Sequence, residues 1–286
     1  MSERNISSTP RLQLNAFRDI LPEFETRQHA RARRDLLVRV LAALGGQAPA
    51  ADKLRCTLLG CKKLKRCRSA ICPVCVRTLR RRFIKAVLKL VPRFMRQSQI
   101  ADDRIIAFSA VLPEEQYPVG LLHQADLRRI NERLQRRHLR LGLPMVFAGV
   151  DVSFNEDSAG RWAPYWQLQV YGIVVGLTQE VVKERLAQLH PATDRVCRPL
   201  RSRVCKELPD ALSYTIKPMF VRRVSYLDRS GRHNTRKVGL KSSQLGELAA
   251  WLGQYPVTVR YILTGCRKSG DRIVLCSPLQ EKHENR

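Results

Sequence analysis

Acidic side chains are scarce. The 286 residues carry 25 Asp plus Glu against 52 Lys plus Arg, a formal charge of +27. That imbalance points to a polyanionic partner, because phosphate backbones attract Lys and Arg through counterion release. Aromatic residues make up only 6%, and no stacking motif for single-stranded RNA is present. A ribosomal or RNA-associated basic protein is thereby disfavoured. Long apolar runs are missing too: none approaches the roughly 18 residues that a membrane span needs. The opening MSERNISSTPRLQLNAF lacks the apolar stretch of a secretory signal. A cytoplasmic, reducing location without a membrane partner is therefore expected. In such a compartment clustered cysteines bind metal more often than they form disulfides. Internal repeats and long low-complexity tracts are absent.

What is present begins with 44% hydrophobic residues, enough for a core in one large or two modest domains. Three segments are expected. Residues 1–50 form an N-terminal helical and flexible segment, loose or weakly helical up to residue 32. Within it Asp35 to Leu44 has helical apolar spacing and stops at Gly45-Gly46. Gln47 to Ala51 reads as a linker. Residues 51–100 form a basic, cysteine-rich module and a helix from Val76 to Leu90 that Pro92 helps to end. They hold 15 Lys or Arg, one acid (Asp52) and five of the nine cysteines. Residues 101–286 form an α+β domain.

The cysteines run Cys56-x4-Cys61-x5-Cys67-x4-Cys72-x2-Cys75. Zinc takes four soft ligands in a tetrahedron, and Cys72-Pro-Val-Cys75 is a good knuckle for two of them. Either Cys61 or Cys67 can join Cys56 to complete a structural Zn2+ site, leaving one thiol spare. The competing reading is a set of free cysteines, some buried as small hydrophobes. Cys197, Cys205, Cys266 and Cys276 are scattered and suit core positions.

Apolar alternation predicts strands at 104–112 (ended by Pro113), 145–154 and 165–175, the last two joined as a hairpin by a polar turn. Leu122 to Leu141 is a helix with Leu127, Ile130, Leu134 and Leu141 on one face. Thr178 caps a helix over 178–189. Arg195 to Cys205 is a weak strand, 210–216 a short helix, 228–241 a basic loop and 244–252 a helix. Residues 257–263 and 273–276 form a final hairpin.

Three segments, in order, resemble the rolling-circle replication initiators (Rep proteins) of the HUH endonuclease superfamily. CRSAICPVCVRTLRRRF at 67–83 is similar to the basic, cysteine-rich stretch ahead of the nicking domain. FAGVDVSFNEDSAGRWAPYWQLQVYGIVVG at 147–176 looks like the hairpin with the metal motif. ALSYTIKPMF at 211–220 resembles the tyrosine motif, Tyr-x-x-Lys. The resemblance implies that Tyr214 attacks a DNA phosphate and stays bound to its 5′ end, with Lys217 steadying the phosphate. It also implies a divalent ion, Mg2+ or Mn2+, polarising that phosphate. The family holds this ion with two His one residue apart on a strand. Here those positions are Gln167 and Gln169, with Leu168 between them, and Asp151 stands where the family carries an acidic ligand. Amide oxygens suit hard ions weakly and cannot match imidazole for transition metals. None of the six histidines rescues the motif; His29, His123, His138, His190, His233 and His283 read as solvated.

The fold expected is α+β: an antiparallel sheet with helices on one face, HUH/RRM-like, preceded by the small zinc module. The open face would receive origin or single-stranded DNA, and the resemblance implies a host helicase as a further partner. Arg128, Arg133, Arg137, Arg222, Arg223, Arg232 and Lys237 are the expected phosphate contacts. If the lost histidines abolish nicking, the chain is instead a DNA-binding regulatory relative. On a helix, Tyr214 and Lys217 would share a face.

Overall fold

The computed structural model describes residues 21, 24–45, 49–193, 196–270 and 272–276. Seven α-helices and nine strands are described: α1 (Arg27–Gly45), α2 (Pro49–Leu59), α3 (Pro73–Gln97), β1 (Ile105–Pro118), α4 (Leu127–Arg140), β2 (Met145–Asp157), β3 (Tyr165–Val175), α5 (Gln179–Ala187), β4 (Leu200–Val204), α6 (Leu208–Thr215), β5 (Val221–Leu227), β6 (His233–Val238), α7 (Ser242–Gly253), β7 (Ile262–Thr264), β8 (Cys266–Ser269) and β9 (Arg272–Leu275).

The class is α+β, as expected. The main sheet runs β4-β1-β3-β2-β5-β6, and β7 also pairs with β2. The three strands expected at its centre are there, β3 lying between β1 and β2 with antiparallel register on both sides. β2 is long enough to pair with β7 near its start and β5 near its end; β2–β5 is the parallel pair. β8 and β9 form a separate hairpin.

Helices cover both faces, a correction to the one-face arrangement. Alternation sends Ile106, Phe108, Val146, Val150, Leu168 and Val170 into one core, where α4, α5 and α7 pack with Leu134, Leu186 and Leu252. Ile105, Met145, Phe147, Ile173 and Val175 point the other way. There α3 covers them with Phe83, Ile84, Val87 and Val91, and α6 contributes Leu212. The first core also takes Leu37, Leu41, Leu54 and Leu58, and the second takes Leu21 and Phe24. The N-terminal segments therefore share the cores of the sheet.

Several sequence boundaries shift. The 49–51 part of the expected linker starts α2, with Pro49 at a position where its missing N–H costs nothing; residues 46–48, and 1–20 of the expected loose segment, lie outside the described residues. Pro92 lies inside α3 and does not end it. An interior proline costs about 3 kcal/mol. Each buried apolar side chain returns roughly 1.5–3 kcal/mol, and the turn past Pro92 seats Phe94 and Met95 on the second core. Pro113 likewise sits in a bulge of β1, where the register with β3 shifts between Val111 and Gln116. The basic loop at 228–241 contains β6, paired with a strand, β5, that the pattern did not announce. The final hairpin is 266–275, while 257–260 is a short 3-10 turn and 262–264 joins β2. Thr178 does cap α5, its hydroxyl accepting from the Val181 N–H.

Candidate functional site

Two arrangements stand out: a cysteine cluster and a cationic cavity. In the first, the Sγ atoms of Cys61, Cys67, Cys72 and Cys75 all lie within 4.8 Å of one another. Measured separations are 3.6 Å for Cys61–Cys75, 3.6 Å for Cys67–Cys75 and 3.7 Å for Cys72–Cys61. A tetrahedron with metal–sulfur bonds of about 2.3 Å has sulfur–sulfur edges of about 3.8 Å. The four thiols are therefore arranged to hold one metal ion. Hydrogen bonding to Cys67 pushes the thiols of Cys72 and Cys75 up, and the same contacts push Cys67 down. A central cation would relieve that competition by favouring thiolate at all four. Cys56 is the spare, exposed on α2, which corrects its place in the expected set. Both Cys61 and Cys67 belong, because the chain turns between them and Arg68 takes a left-handed φ of 57°. Ala70 and Val257 tie the knuckle to the 255–257 segment through backbone hydrogen bonds.

The cavity, about 490 Å3, opens between α6, the segment that follows it and β2. Its lining includes Arg80, Asp151, Tyr214, Lys217, Arg223 and Lys237. Asp210 is the other acid in that lining, so cations outnumber acids by four to two. The sheet builds its floor: Asp151 on β2 is paired with Gln169 on β3, and Gln169 with Val111 on β1. Gly149 decides how closely the next layer approaches. A Cβ there would lie 1.9 Å from the Thr215 carbonyl oxygen and 2.8 Å from that of Arg260. Only a glycine lets the end of α6 cross β2 at that distance.

α6 ends at Thr215. Pro218 disfavours helical backbone at the preceding residue, so Lys217 cannot extend the helix. The expected helical face shared by Tyr214 and Lys217 is thus corrected, although both line the same cavity. Lys217 Nζ lies 3.0 Å from Asp151 Oδ2 and 3.4 Å from the centre of the Tyr171 ring, an ion pair and a cation–π contact together. Tyr214 stands at the rim, 61% exposed.

Three buried or half-buried arginines clamp this segment through its carbonyls. Arg80 donates to Ser213 O at 3.0 Å, Arg260 to Lys217 O at 3.0 Å and Arg33 to Pro218 O at 3.0 Å. Burial pushes the guanidinium of Arg260 down to about 10, with Asp151 pulling the other way, and that of Arg80 also to about 10. Both remain charged at neutral pH. Sequence reading missed all three. Arg80 carried a signal, since it interrupts the apolar stripe of α3 between Val76 and Phe83.

The expected divalent-ion site does not fit these residues. Asp151 and Gln169 meet, with Gln169 Nε2 donating to Asp151 Oδ2 at 3.4 Å. The Gln169 oxygen already accepts from Tyr171 and from Arg223, each at 3.1 Å. Gln167 donates to the carbonyls of Leu112 at 2.7 Å and Glu115 at 3.3 Å, satisfying the bulge of β1. The one Asp151 oxygen with no partner, Oδ1, stands on a carboxylate already neutralised by the Lys217 ammonium. A divalent cation would meet Lys217 and Arg223 at close range with too few oxygens to hold it.

The expected phosphate contacts divide. Arg223 and Lys237 line the cavity. Arg133 is paired with Glu115, Arg137 with Glu114 at 2.9 Å and Arg222 with Glu156. Arg128 and Arg232 are exposed. His138 and His190 are also corrected: both are buried, and burial pushes His138 down to about 4. His29, His123 and His233 are exposed, and His283 lies outside the described residues. Among the described residues no helix is long and apolar enough to cross a membrane.

The fold and site together define a basic α+β protein with a four-cysteine cluster able to hold a metal ion. Comparison with protein-family models, with curated proteins and with solved structures finds no match to the chain.

Proposed function

We propose that this chain is a DNA-binding protein of the replication-initiator type, with Zn2+ on Cys61, Cys67, Cys72 and Cys75 as a structural clamp. The observation that carries this reading is the convergence of Tyr214, Lys217, Arg223 and Lys237 on one cavity over the sheet. A DNA phosphate supplies the negative charge this cavity lacks. Lys217, held by Asp151 and Tyr171, is a fixed cation in the place where the resembled family uses a metal. No Mg2+ or Mn2+ step is needed for binding.

A nicking reaction is the second reading, favoured by the exposed phenol at the rim. In it the Tyr214 oxygen bonds to phosphorus, the bond from phosphorus to the 3′ oxygen breaks, and the phenolic proton passes through solvent to that oxygen. Lys217 and Arg223 are the groups available to offset the developing charge.

The test uses purified full-length protein and labelled single-stranded oligonucleotides. Arg223→Ala and Lys237→Ala should each weaken binding by roughly tenfold or more, since a hydrogen bond to a charged group is worth about 1.5–3 kcal/mol. A covalent adduct on denaturing gels, lost in Tyr214→Phe, establishes nicking. Binding without an adduct leaves the binding function alone. Wild-type affinity in both cavity variants refutes the assignment of this cavity.

A further inference from the structure

Tyr214 borders a second cavity, of about 460 Å3, whose lining includes Ser109, Tyr171, Arg201, Arg203 and Tyr214 and no acidic residue. Its outer wall is β4, the edge strand of the sheet. Arg201 pairs with Ser109 and Arg203 with Ala107, while Ser109 pairs with Tyr171. The two-residue period therefore puts both arginines on the face that carries Tyr171 and supports Tyr214. Both are exposed. No ion pair among the described residues uses either one. They stand about 6.6 Å apart along the strand, at about 3.3 Å per residue, so each can meet a different phosphate of an extended chain. Tyr171 links the two cavities, because its ring lies under the Lys217 ammonium of the first.

Charged edge strands also serve to block pairing with other sheets. That role asks only for charge. It does not ask for a concave lining, for two arginines on the register that lines the cavity, or for a tyrosine shared with a second cationic cavity. We propose that the second cavity is a subsite for single-stranded DNA, taking the nucleotides next to those held in the first. Arg201 and Arg203 hold phosphates there, and Tyr214 offers a ring face to a base. The strand then crosses between the cavities beside the Tyr214 hydroxyl. The subsite rests on the DNA-binding reading above.

The experiment compares four full-length proteins by fluorescence anisotropy of a labelled oligothymidylate over a salt series. They are wild type, Arg201→Ala/Arg203→Ala, Arg223→Ala/Lys237→Ala, and Arg136→Ala/Arg140→Ala. The last pair is exposed on α4, on the opposite side of the sheet, and removes the same charge. Each phosphate contact on a single strand contributes about 0.7 to the slope of log affinity against log salt. The β4 pair should therefore lower that slope by about 1.4 and weaken binding, with the α4 pair close to wild type. An oligonucleotide too short to leave the first cavity should lose the difference. If the β4 pair behaves like the α4 pair while Arg223→Ala/Lys237→Ala weakens binding, the subsite is refuted and the first cavity stands. If only the β4 pair weakens binding, the first cavity is refuted and the second stands. If all three pairs match wild type, both readings fall.

Discussion

Gly149→Ala tests the geometry that builds the cavity. Its added methyl carbon would lie 1.9 Å from the Thr215 carbonyl oxygen, a separation no carbon–oxygen contact tolerates. The backbone at 215 must retreat by more than about 1 Å, because the neighbouring atoms are backbone and cannot swing aside. Overpacking of this kind costs about 1–3 kcal/mol. The retreat also carries Lys217 away from Asp151, opening a contact that measures 3.0 Å. Asp151 is 4% exposed, so loss of its ammonium partner leaves a nearly buried carboxylate short of a counter-charge. Lys217 is partly solvated, which limits that second penalty to the lower end of what a buried pair would cost. Urea denaturation should therefore show a loss of about 2–4 kcal/mol. Oligonucleotide binding measured below the transition should fall with it. Gly239→Ala is the control, since nothing lies within 4 Å of a Cβ there and its φ is ordinary. A Gly149→Ala protein that matches Gly239→Ala in both stability and DNA affinity would refute the claim that close passage of residues 215–217 forms the site.

Metal analysis of the purified protein should find one Zn2+ per chain. Cys61→Ser should lose it and unfold more readily and Cys56→Ser should keep it, so a strong chelator should lower the melting temperature of the wild type and of Cys56→Ser and leave that of Cys61→Ser unchanged. The His138 imidazole is neutral in the fold, its value lowered to about 4 by burial and secondarily by the nearby His190. Its contribution is present in full above the unfolded value of about 6.5 and is lost as pH falls from there toward 4. Denaturation at pH 7.5 and pH 5 should show about 2 kcal/mol lost from this group, and His138→Gln should flatten the slope by that amount. An unchanged slope would mean that His138 is already solvated.

The strand pattern was legible where burial alternates. β3 matches its sequence-read limits, Tyr165 and Val175, because polar turns bound it and both faces are packed. β6 was illegible, because His233–Val238 is exposed along nearly its whole length and carries no apolar alternation. Pro92 and Pro113 misled for a common reason. The local penalty of a proline is real, but packing of Met95 and a bulge capped by Gln167 outweigh it.

Composition settled the charge, and the period of two or 3.6 settled which elements carry the core; both are properties of short windows of chain. Cysteine spacing indicated a metal cluster yet could not choose Cys61 and Cys67 over Cys56, because distance between thiols depends on how the 62–68 turn closes. The motif reading brought Tyr214, Lys217 and Asp151 to attention. Their meeting needed the tertiary fold, since Lys217 reaches Asp151 across 66 residues of sequence and does so only over a strand position without a side chain. The same long-range packing recruited Arg33, Arg80 and Arg260 to hold the segment, and no local signal specifies partners so far apart along the chain.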